Sequence, residues 1–139
     1  MIYLFLNGLV IAVMLDLSLG RIAYLVTIPL IIVGVLTQGW PVHPQTLALA
    51  GGTYAAIMTI YLATKLRGRV AIWDGDATLC AAIAPVVGWP GIAWVIFGGT
   101  GAAWLFMTAV TRLRGRVGPE TVRMAPFFAL STVAVMWVT

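Results

Sequence analysis

Residues 64–89 read "TKLRGRVAIWDGDATLCAAIAPVVGW". Three cations, Lys65, Arg67 and Arg69, close one apolar run. Two aspartates separated by a single glycine, Asp74 and Asp76, then open the next. A change of charge at the junction of two oily segments has a simple physical reading. One helix leaves a membrane with cations at its C-terminus, where the helix dipole and anionic headgroups favour them. A second helix enters with carboxylates at its N-terminus.

The rest of the chain supports that reading. Of 139 residues, 62% are hydrophobic and 9% are charged, and the mean hydropathy is +1.05. A soluble domain would carry about 25–35% charged residues on its surface. The fold class is therefore an all-α integral membrane protein, a single polytopic domain over residues 1–139. Each spanning helix needs about 20 mostly apolar residues. Apolar stretches between polar, Pro or Gly breaks predict six transmembrane helices, near 2–18, 22–38, 45–64, 76–88, 91–111 and 124–138. The opening "MIYLFLNGLVIAVML" lacks a basic region and a small-residue cleavage site, so it reads as a retained first span.

The cations fix the orientation. Arg21 follows the first span; Lys65, Arg67 and Arg69 follow the third; Arg112, Arg114, Arg116 and Arg123 separate the fifth from the sixth. The other connections, "TQGWPVHPQ" and "VGWPG", hold no Lys or Arg. All eight cations thus fall on one side, which the positive-inside rule makes the cytoplasm, leaving both termini extracytoplasmic. Trp40 and Trp89 suit the opposite interface. The net charge of +4 is spent on the lipid bilayer surface, and no nucleic-acid partner is expected. "TKLRGRV" recurs as "TRLRGRV" at 111–117, which two similar cytoplasmic helix ends explain.

Chemistry is sought among the few polar groups. His43 has no Cys, His or acidic neighbour and predicts no metal site. Cys80, the only cysteine, reads as a small buried hydrophobe. No cofactor is implied. Gly98 and Ala102 form a small-xxx-small face for close helix packing. Ionisable residues inside a membrane are costly and call for a reason. Asp16 sits near the cytoplasmic end of span 1 and Asp76 at the same depth in span 4. Asp74 and Asp76 are two apart and point to different sides of a helix, so they do not pair with each other. An N-cap role explains one of them, but a cap leaves Asp16, near a helix C-terminus, unexplained. Structure and function stand about level on these grounds.

"DLSLGRIAYLVTIPLIIVGVL" (16–36) followed by "GDATLCAAIAPVVGW" (75–89) resembles the type IV prepilin peptidases, polytopic aspartyl proteases of the GxGD type. The final "RMAPFFALSTVAVM" is similar to the family's last span. The resemblance covers nearly the whole chain. It implies Asp16 and Asp76 as catalytic, no metal, and a bacterial inner-membrane location. It also implies a pilin-like precursor as partner and substrate, with a short basic leader that is cut at the cytoplasmic face. Asp74, Gly75 and Glu120 are the candidate substrate-binding residues, the two acids for their attraction to a basic leader. This sequence has Ala23-Tyr24 where the family usually has Pro-Asn or Pro-Asp, Trp73 at the first Gly of GxGD, and Thr78 where Lys is common. The cysteine-bearing segment of larger members is absent, so methylation is not implied. The non-enzymatic alternative is a transport or assembly subunit using an intramembrane carboxylate pair, or a degenerate peptidase that only binds its substrate.

Overall fold

The computed structural model describes residues 1–19, 24–68, 73–114 and 123–138. Every regular element among them is a helix: α1 (Ile2–Leu19), α2 (Tyr24–Leu36), α3 (Pro44–Leu66), α4 (Asp74–Arg114) and α5 (Ala125–Val138). Arg21, Ala23, Arg69, Arg116 and Glu120 lie outside the described residues.

The ends of α1, α2, α3 and α5 fall close to the segments read from sequence. The fourth and fifth segments are two helical limbs of α4, broken inside the "VGWPG" connection at Gly88 and Trp89. A straight helix of 41 residues would measure about 60 Å, at ~1.5 Å per residue. α4 is not straight. Gly88 stands at φ 67°, ψ −173° and Trp89 at φ −99°, ψ 129°, so the backbone leaves the helical path and re-enters it. Gly tolerates that left-handed φ without a Cβ clash. The next residue, Pro90, has no N–H to continue the ladder. Just ahead of the break, Gln38 Nε2 donates a 2.7 Å hydrogen bond to the Pro85 carbonyl.

The limb of α4 before Gly88 is the hub of the bundle. Residues 75–85 are all buried, and α2, α3 and α5 all pack on α4. A helix buried all round is apolar all round. This one is also slim, with Ala77, Cys80, Ala81, Ala82 and Ala84 among its buried residues. Gly34 of α2 meets it most closely: a Cβ there would lie 2.5 Å from the Ala82 carbonyl oxygen. Beyond the break, α4 runs antiparallel to α5, with Gly91, Gly98 and Gly99 against Val135, Ser131 and Phe128. The small pair buried here is Gly99 and Ala103, while Gly98 and Ala102 are exposed, so the expected small-residue face is turned by one residue. α1 is peripheral. It packs on α2 and α5, and its backbone does not reach α4.

Three helices are long and apolar enough to cross a membrane: Ile2–Leu19, Pro44–Leu66 and the α4 stretch Asp74–Leu113. α2 and α5, at 13 and 14 residues, measure only about 20 Å against the ~30 Å hydrocarbon core. Large apolar side chains crowd the outside, including Ile11, Leu25, Phe97, Leu105 and Leu130. A soluble monomer rarely exposes contiguous apolar surface on this scale. The chain is an all-helical membrane protein.

A candidate carboxylate site between α1, α2 and α4

Asp16 lies in the last turn of α1 with 6% of its surface exposed, and Asp76 in the first turn of α4 with 4%. The two carboxylates are within electrostatic range of each other, although the backbones of α1 and α4 do not touch. Residues separated by most of the first half of the chain therefore share one end of the bundle, within range of each other's charge.

Each carboxylate has a different support. Asp76 is fixed by its own helix start. Its Oδ2 accepts the Trp73 N–H at 3.1 Å, and its N–H donates to the Trp73 carbonyl at 3.1 Å. This is the N3 arm of a capping box, with Trp73 in the N-cap place. Neither aspartate is the N-cap: Asp74 is the first helical residue and Asp76 the third. The Trp73 contribution to Asp76 is a backbone N–H, which any residue but proline supplies, and its indole is half exposed. Asp16 draws on another helix. It faces the backbone N–H of Ala125, which opens α5, and lies within range of the Arg123 guanidinium. The N-terminal end of α5 thus offsets the unfavourable dipole at the end of α1. Asp16 Oδ2 has no hydrogen-bond partner.

The other candidates separate. Asp74 Oδ2 accepts a hydrogen bond from the Tyr24 hydroxyl at the start of α2. Sequence reasoning missed this link, because Tyr24 drew notice only as a departure from a family pattern. Gly75 is buried between the two aspartates. Thr78 is turned back onto its own helix, donating to the Gly75 carbonyl at 2.8 Å. Glu120 lies outside the described residues. Tyr24 is within range of Tyr54 and Tyr61 of α3, and Lys65 Nζ donates to the Tyr61 hydroxyl at 3.3 Å. The basic end of α3 and the acidic start of α4 therefore share one end of the bundle. Thr27 of α2 was also missed. It is wholly buried, and its Oγ1 has no partner.

Among the described residues, no three His, Cys, Asp or Glu side chains cluster to hold a metal. A cleft of about 340 Å³ opens between α3 and the second limb of α4, lined by Gly52, Ala56, Trp89, Ile92 and Phe97 among others. It is apolar, and Trp89 stands about 20 Å along α4 from Asp76, at ~1.5 Å per residue. Among the described residues, the buried carboxylates, Asp16 and Asp76, both lie at the other end of the bundle from this cleft. No protein-family model, curated protein or solved structure matches the chain.

Proposed function

We propose that this protein is an intramembrane aspartyl endopeptidase of the prepilin peptidase kind, which removes the basic leader of pilin-like precursors at the cytoplasmic face of a bacterial inner membrane. The observation that carries the reading is the pairing of Asp16 with Asp76, two buried carboxylates on different helices within electrostatic range. Burial of one carboxylate near another is costly and calls for a function.

In this reading one carboxylate is ionised and the other keeps its proton. The ionised group takes a proton from water as the water oxygen bonds to the scissile carbonyl carbon. The protonated group gives its proton to the carbonyl oxygen, which stabilises the developing charge. The C–N bond then breaks, the amine leaves with a proton from the dyad, and the tetrahedral oxygen returns its own. Asp74 and Glu120 contribute negative charge towards a cationic leader.

The orientation belongs to the same proposal. Six crossings, with α2 and α5 completed by flanking residues and the two limbs of α4 counted separately, leave all cations on the carboxylate side and both termini on the other. The shared end of Lys65, Tyr24 and Asp74 supports this.

The test is co-expression with a pilin-like precursor, followed by its size. The wild type should shorten the precursor, and Asp16→Asn or Asp76→Asn should each abolish the shortening. Processing that survives both substitutions would end the proposal.

A further inference from the structure

Thr27 is a wholly buried hydroxyl that the fold itself leaves unused. Its place follows from the register of α2 on α4. Tyr24 bonds to Asp74. Gly34 lies against the Ala82 carbonyl, and Gln38 bonds to Pro85. These three α2-side residues recur on one stripe, and Thr27 falls on the same stripe, three residues after Tyr24 and seven before Gly34. The two helices run parallel, with partner numbers ahead by 50, 48 and 47. Thr27 therefore stands opposite the turn of α4 that carries Asp76.

α1 brings Asp16 to the same end. Gly8 packs on Leu30, and Phe5 lies beside the Gly34 position. α1 and α2 thus form an antiparallel hairpin, with Asp16 and Thr27 both near its closed end. Among the described residues, the buried side-chain oxygens without a partner are Asp16 Oδ2 and Thr27 Oγ1. Leaving such a group unsatisfied forfeits the hydrogen bonds it made to water. A buried water makes about three hydrogen bonds; these two unpartnered oxygens and the Asp76 carboxylate, which already accepts the Trp73 N–H, offer it three partners.

We infer that Thr27 is a third catalytic-site residue, whose hydroxyl binds and orients the water that the two aspartates activate. The inference rests on the peptidase reading and adds to it. Hydroxyl and carboxylates divide the work: the aspartates move protons, and Thr27 fixes the direction of the water lone pair.

The experiment uses the full chain reconstituted in vesicles, with a precursor carrying a basic leader and an apolar helix as probe. Wild type, Asp16→Asn, Asp76→Asn, Thr27→Val and Thr27→Ser are compared for kcat, KM and thermal stability. Thr27→Val keeps the shape and deletes the hydroxyl. It should lower kcat by about 10- to 100-fold, from one lost hydrogen bond to the reacting water, with KM little changed. Thr27→Ser should restore most of the rate. Thr27→Val should be at least as heat-stable as wild type, because it removes an unsatisfied buried group. If Thr27→Val cleaves at the wild-type rate while both Asp variants are dead, the Thr27 assignment falls and the peptidase reading stands. A Thr27→Val protein that melts earlier assigns the residue to packing and also overturns it. If the wild type fails to cleave, or the Asp variants still do, both fall together.

Discussion

Gly34→Ala tests the helix crossing on which the site depends. The added Cβ would lie 2.5 Å from the Ala82 carbonyl oxygen and 3.5 Å from the Phe5 ring. The first of these is backbone on the most buried helix, so it cannot step aside as a side-chain tip would. α2 must move off α4 by about 0.5 Å or more to reach an approach of 3.0 Å, the limit for real Cβ contacts. Overpacking of this kind costs about 1–3 kcal/mol. Gly51→Ala is the matched control. It lies in α3, and nothing stands within 4 Å of its Cβ position. There the substitution gains up to about 1 kcal/mol of helix propensity. Both variants share that gain, so denaturant unfolding in detergent, followed by helical circular dichroism, should separate them by the overpacking cost of about 1–3 kcal/mol, with Gly34→Ala the weaker. On the peptidase reading, precursor cleavage should drop further than stability does, because displacement by about 1 Å can cost 100-fold in rate. Equal stability of the two variants would refute the close crossing, and with it the register that sets Thr27 opposite Asp76.

Two other substitutions bear on the fold around the site. Tyr24→Phe and Asp74→Asn should each lower stability slightly, and their double-mutant cycle should give a coupling of about 0.5–1.5 kcal/mol, as expected for one hydrogen bond near the surface. Strict additivity in unfolding free energy would mean that the two groups do not meet. Gly88→Ala should cost about 1–3 kcal/mol from backbone conformation alone, since φ 67° with ψ −173° is a region essentially reserved for glycine and no atom lies within 4 Å of the added Cβ. Gly88→Asn should cost about as much, because the tolerance of Asn for positive φ is confined to ψ of about +47°, and thermal melts of the pair would show it.

Much of the fold was legible because each helix ends on chemistry visible in the chain. The cations Lys65 and Arg67 close α3, and Pro44 opens it. Asp16 and Asp76 stood out because an oily segment has few reasons to hold a carboxylate. What escaped was rotational phase. A helix with lipid on one side and apolar neighbours on the other is hydrophobic all round, so periodicity gives no face. That is why Gly98 and Ala102 were read one position away from the buried Gly99 and Ala103. It is also why Thr27 passed as an ordinary member of an apolar run. Capping was misread for a different reason. Asp is a favoured N-cap, but Asp76 serves from the third position and Trp73 caps with backbone alone. The six-span count came from adding apolar segments; the break between the fourth and fifth falls at Gly88 and Trp89, but only three of the described helices are long and apolar enough to cross a membrane.

The two carboxylates have unequal mountings. Asp76 stands on the buried first limb of α4, and its carboxylate is tied to the turn that starts that limb. Asp16 rides on an outer helix that leans on two neighbours and turns Leu4, Val10, Ile11 and Met14 outward. One half of the pair is tied to the start of α4, and the other is held where the end of α1 meets the start of α5. On the peptidase reading, the carboxylate spacing is therefore set by how α1 packs against α2 and α5 rather than by any direct α1–α4 backbone contact.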